Sequence, residues 1–219
     1  MYKQRYLKQI FFISVLFTNI TNVCLAETKQ HSTAIQSNKF ADALVTLSEH
    51  LTSKQPIISE ESFGGYGGLT NDLKFYKETK NINRTSKQII SIVRWETQNP
   101  SKLHDIIVNI YDDEGRVIRD YSASYLPVHR GAPYQTLINF HFYEKDLTSF
   151  RQFDVYDDIQ FEWCDGKYDN KPVSISFDFD EIPDAADDIE DEELRSVYLA
   201  CFKNPVTAKP YTDPLSEIR

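Results

Sequence analysis

No stretch of this 219-residue chain stays apolar for the ~20 residues that a membrane-spanning helix needs. Basic side chains are the minority, with 24 Lys and Arg against 33 Asp and Glu. That balance repels nucleic acid and anionic lipid, so neither is expected as a partner. It suits basic proteins, cationic peptides or divalent cations, although plain solubility accounts for it as well. Cysteine is scarce, with three residues at 24, 164 and 201. Catalytic motifs are missing too. There is no G-x-S-x-G elbow and no H-E-x-x-H helix. Four of the seven glycines cluster at 64–68, but Leu69-Thr70-Asn71-Asp72 follows them. A phosphate loop requires a Lys-Ser/Thr pair there, so nucleotide binding is rejected.

The N-terminal residues have the order of an export signal. Lys3, Arg5 and Lys8 precede the apolar run Ile10–Phe17, a polar stretch follows, and Val23-Cys24-Leu25-Ala26 ends it. Cleavage is expected after Ala26. An uncleaved anchor and lipidation of Cys24 are the alternatives. The run is too short for the first, and polar or bulky Thr21-Asn22-Val23 argues against the second. Loss of residues 1–26 removes three basic residues and no acidic one, leaving 193 residues of net charge −12. The protein is expected in a periplasm or outside the cell.

Export leaves Cys164 and Cys201, and in an oxidising compartment an isolated pair is most simply a disulfide. A Cys164 nucleophile assisted by histidine is the competing reading, but no cysteine-protease signature surrounds it.

Residues 27–38 are polar and without period and read as a flexible leader. Phe40, Ala43, Leu44, Leu47 and Leu51 then recur at helical spacing, with Asn38 as a cap and Pro56 beyond the end. Further on, the period becomes two. Segments 88–97, 103–111, 116–126, 134–142, 159–163 and 173–180 read as strands, and Leu73–Tyr76 is strand-like. Asp112-Asp113-Glu114-Gly115 and Asp169-Asn170 read as turns. In the 173–180 segment Val173, Ile175, Phe177 and Phe179 alternate with serine and aspartate, as in an antiparallel sheet with one wet face. Ten of the 16 residues from Asp178 to Glu193 are acidic. A helix is expected to start in that run, with Leu194, Val197, Tyr198, Ala200 and Cys201 on one face. The tail, 203–219, carries three prolines and is expected to be disordered.

The expected fold is therefore mostly β. It is an antiparallel two-sheet sandwich at 39–202, of immunoglobulin-like architecture, with one short helix before and one after the strands. The Cys–Trp–Cys spacing of a true immunoglobulin domain is absent.

Candidate sites are few. Gly64, Gly65, Tyr66, Gly67 and Gly68 form a mobile contact loop, or else only a permissive connection. Tyr125, Pro127, His129, Arg130 and Tyr134 form a contact loop between strands, since arginine and large aromatics dominate binding hot spots. His104, His129 and His141 match no zinc spacing, so no metal site and no cofactor are assigned. The acidic clusters at 112–114, 154–158 and 178–193 lack the ligand pattern of an EF-hand. No catalytic residue is nominated. The expected function is an exported, non-enzymatic module of unknown ligand that binds a protein partner. The alternatives are a secreted hydrolase with a site built from scattered residues, and a calcium-dependent structural protein.

Overall fold

The computed structural model describes residues 33–65, 74–127, 131–183, 186–202 and 206–219. Helix α1 spans 33–53. Nine strands follow: β1 (Ile57–Gly64), β2 (Tyr76–Asn83), β3 (Ile89–Glu96), β4 (Leu103–Tyr111), β5 (Val117–Ser124), β6 (Gln135–Glu144), β7 (Leu147–Asp154), β8 (Ile159–Tyr168) and β9 (Lys171–Asp178). Among the described residues, a 3-10 turn at Ala186–Asp188, helix α2 (Glu192–Phe202) and 3-10 helices at Lys209–Tyr211 and Pro214–Ile218 come after β9.

All nine strands lie in one sheet, in sequence order, each antiparallel to the next. This corrects the expected two-sheet sandwich. Alternation requires that one face of each strand be covered, and it does not say by what. Here the cover is helical. The inner face carries Val93 opposite Ile106, and a row of Val108, Tyr121, Ile138 and Phe153 across β4–β7. Phe40, Ala41, Leu44 and Leu47 of α1 close over that row and are buried with it. Phe40, Leu44 and Leu47 recur every three or four residues with Ala41 beside them, which makes one apolar stripe on a helix. Burial of one such side chain contributes about 1.5–3 kcal/mol.

Local chemistry fixes the meander. Asp169 and Asn170, the two residues between β8 and β9, have φ of 48° and 63°. A two-residue hairpin of the I′ type needs positive φ at both positions, and Asp and Asn tolerate it. Gly166 (φ 139°) lies in β8, where an added Cβ would come within 2.0 Å of the Asp146 carbonyl.

Two terminal segments are more ordered than expected. Residues 33–38 of the expected leader already belong to α1, and Asn38 lies inside the helix rather than at its cap. The described part of the tail, 206–219, packs on the inner face. Glu217 accepts hydrogen bonds from Arg119 (Nε at 2.5 Å, Nη2 at 3.0 Å) and from the Tyr121 hydroxyl at 2.5 Å. The Arg119 guanidinium lies 3.8 Å from the centroid of the Tyr211 ring. Asp157 takes the Thr207 hydroxyl at 2.7 Å and the Ala208 amide at 2.5 Å. Charged and aromatic side chains anchor this strap.

Cys164 and Cys201 are bonded, with 6.1 Å between their Cα atoms. The bond joins α2 to β8 over a second apolar cluster that contains Leu147, Val197, Tyr198 and Phe202. The buried residues of α2 are Val197, Tyr198, Cys201 and Phe202. Asp191 caps the helix by accepting from the Leu194 amide at 2.8 Å.

Candidate functional site

The loop between β5 and β6 is tied down on two sides. Its Tyr125 amide donates to the His104 carbonyl, and its Tyr134 amide to the Ser124 carbonyl, both at 2.8 Å. The Tyr125 hydroxyl donates to Asn38 Oδ1 at 3.1 Å, and Asn38 Nδ2 donates to the Gly131 carbonyl at 2.7 Å. Asn38 thus latches α1 onto both ends of the loop. Burial, and then the charge of Asp42, push the Tyr125 phenol up to about 12. Tyr125 thus anchors the loop to α1. Pro127 is half-buried. His129 and Arg130 lie outside the described residues. Tyr134 is 72% exposed.

The Tyr134 ring stands beside a cleft of about 490 Å³ between the start of α1 and the ends of β6, β7 and β8. Gln135 and Thr136 line it from β6, Gln152 and Asp154 from β7, Gln160 from β8, and Ser37 from α1. Tyr156 crosses between the two layers. Its hydroxyl donates to the Thr33 carbonyl at 2.9 Å and pairs with Ser37 Oγ at 3.0 Å.

The turn from β7 into β8 shapes the floor. Asp154 Oδ1 accepts the amides of Tyr156 (2.8 Å) and Asp158 (3.1 Å). Burial is the largest influence on this carboxyl and lifts it above the ordinary range, against the pull of those two amides. Gln160 Nε2 donates to the Asp158 carbonyl at 3.2 Å, and Gln152 Nε2 to Asn139 Oδ1 at 3.0 Å. Each amide is held through its nitrogen.

Gln152 also ends a hydrogen-bond chain across the outer face of the sheet. Asn139 Nδ2 donates to Asp120 Oδ1, and His141 Nε2 meets Asp120 Oδ2, both at 2.7 Å. His104 packs between the Phe75 and Tyr76 rings, 5.2 Å from each centroid. The two histidines therefore have separate surroundings. Among the described residues no group of three or more His, Cys, Asp or Glu side chains is placed to hold a metal.

In the 112–114 cluster Asp112 closes the β4–β5 turn. Asp112 Oδ1 accepts the amides of Glu114 (3.0 Å) and Arg116 (2.9 Å), and its carboxyl is held below the ordinary range, chiefly by the Arg116 amide. Gly64 ends β1 opposite Tyr76, where a Cβ would lie 2.3 Å from that ring. Gly65 follows, and Tyr66, Gly67 and Gly68 lie outside the described residues.

Of the residues singled out from sequence, the structure brings Tyr134 of the contact loop and Asp154 of the acidic clusters to this cleft among those described. Gln135, Gln152, Tyr156 and Gln160 were not singled out. Their signal is weak: polar residues on the wet side of strand ends carry no motif. No protein-family model matches the chain, and no curated protein or solved structure matches it either.

Proposed function

We propose that the chain is an exported, non-enzymatic binding module that takes its partner at the cleft beside Tyr134. The observation that carries this reading is the 72% exposed Tyr134 ring at the edge of a polar, preformed cleft. Cavities of about 300–1,000 Å³ are the usual size of a ligand site. Aromatic side chains with an exposed face supply contact area at low entropic cost.

Binding fits the lining better than catalysis does. Asp154 is the one carboxylate among the described lining residues, which include no histidine, cysteine, lysine or arginine. Hydrolysis of a glycoside by the common route takes two carboxylates. Activation of the Ser37 hydroxyl would take an adjacent base, and its partner is the Tyr156 phenol. The disulfide is compatible with an oxidising compartment, which supports a periplasmic or secreted location. No described helix is long and apolar enough to cross a membrane.

The test is recovery of a partner from envelope extract and culture medium by the processed protein, beside its Tyr134→Ala variant. Retention by the wild type and loss by the variant is the expected result. Equal retention by both moves the contact surface elsewhere. Turnover of a peptide, ester or glycan panel by the wild type overturns the non-enzymatic reading.

A further inference from the structure

We infer that the ligand of this cleft is a neutral saccharide. The inference rests on the reading of the cleft as the binding site and adds the chemical class of what enters it.

The described lining lacks the groups that the other common classes of ligand take. An anionic ligand requires cationic side chains or a row of free amides, and the described lining has neither lysine nor arginine. A hard cation takes six or more oxygens, several of them from carboxylates, and Asp154 is the single carboxylate here. An apolar ligand leaves buried polar groups without partners, and the lining is mostly hydroxyl, amide and carboxyl.

What remains matches a sugar. Adjacent hydroxyls both donate and accept, and the planar side chains of Gln135, Gln152, Gln160 and Asp154 offer paired acceptors and donors. The C–H face of a pyranose is apolar and flat, and it packs against an aromatic face. Tyr134 presents such a face with most of its surface free. Three of the lining groups also have partners within the protein. Gln152 is fixed by Asn139, Gln160 by the Asp158 carbonyl, and Asp154 by two backbone amides. Orientation before binding reduces the ordering cost that sugars, with many weak contacts, otherwise incur.

Neutral sugar occurs free as polysaccharide and attached to glycoproteins, and the chemistry at the cleft is the same. The experiment therefore has two arms. In the first, isotope-labelled processed protein is titrated with neutral hexasaccharides of α-linked glucose, β-linked glucose, galactose and N-acetylglucosamine, and backbone amide resonances are followed. At least one is expected to bind with a Kd on the order of 1 mM or tighter. The shifts should centre on Gln135, Gln152 and Gln160. Tyr134→Ala should weaken binding about tenfold, the loss of one stacked ring, with an otherwise unchanged spectrum. In the second arm, envelope extract is oxidised with periodate, which cleaves vicinal diols and leaves the peptide chain intact. Oxidation should abolish Tyr134-dependent retention, except where the first arm identifies the N-acetylglucosamine oligomer, whose 1→4-linked internal rings carry no vicinal diol. A protease-sensitive retained species identifies the source as glycoprotein, and a protease-resistant one as polysaccharide.

The saccharide assignment fails if no hexasaccharide shifts the cleft amides while a Tyr134-dependent partner survives periodate. In that case the cleft remains a binding site for another class. If no species is retained through Tyr134 and no sugar binds, both readings fall together.

Discussion

Arg151 and Glu162 face one another across the β7–β8 pair, with the guanidinium Nε 2.5 Å from Glu162 Oε1 and the carboxylate fully out of solvent. The Phe202 ring of α2 lies 5.2 Å from the guanidinium carbon. A buried pair of this kind is fragile to the loss of one member, because the other is left as an uncompensated charge. Arg151→Ala should therefore cost about 3–5 kcal/mol, while Arg151→Met with Glu162→Leu should fold close to wild-type stability. Urea midpoints of the two variants check both expectations.

Reduction of the disulfide should destabilise the protein without changing the sheet. The bond closes a loop of 37 residues, for which chain entropy gives roughly 4 kcal/mol. The Cys164→Ala/Cys201→Ala variant and the reduced wild type should show the same lowered denaturation midpoint. Unequal midpoints would mean that the thiols themselves disturb the native packing.

Stability should fall above pH ~10, where exposed phenols ionise. Burial, the largest cause, pushes Tyr125 and Tyr198 up to about 12, with Asp42 adding to the first and Glu162 to the second. A phenol whose folded-state value is raised contributes stability that is complete below the unfolded value. That stability is lost as pH climbs through the folded value, because the unfolded chain releases its proton first. Melting temperatures taken across this window should decline, and Tyr198→Phe should flatten the decline.

Glu217→Ala should loosen the C-terminal strap. It leaves the Arg119 guanidinium and the Tyr121 hydroxyl without their shared acceptor at a half-buried site. A loss of about 2–4 kcal/mol is expected. New protease cleavage near 207–213 should accompany it and can be read by mass spectrometry of the fragments.

A chelator should leave the melting midpoint unmoved. Asp112 and Asp154 already spend an oxygen on two backbone amides each, and a bound cation stabilises only the folded state. A lowered midpoint in EDTA would revive the calcium-dependent reading.

The strands that alternate cleanly are legible in the sequence. Leu103–Tyr111 forms a strand with the expected bounds, and Thr136, Ile138 and Phe140 point inward as their spacing required. Strand β7 was not legible. Its inward residues are Leu147, Ser149, Arg151 and Phe153, and two of these four are polar. Ser149 is satisfied by the Cys201 carbonyl and Arg151 by Glu162, partners on α2 and β8 that are distant in sequence. Strand β1 escaped for a different reason: Ile57–Gly64 is exposed along most of its length and pairs only with β2.

What the sequence determined alone is local. Period-two segments, turn residues tolerant of positive φ, a helical stripe at 40–51 and a lone cysteine pair each follow from short-range sterics and patterning. The tertiary structure decided which layer covers the sheet, why a proline-rich tail is ordered, and where polar strand ends meet to form a cleft. Those outcomes depend on pairings such as Glu217 with Arg119, Asn38 with Tyr125 and Tyr156 with Thr33. Each joins residues roughly ninety or more positions apart, and no periodicity in a chain encodes a contact at that range.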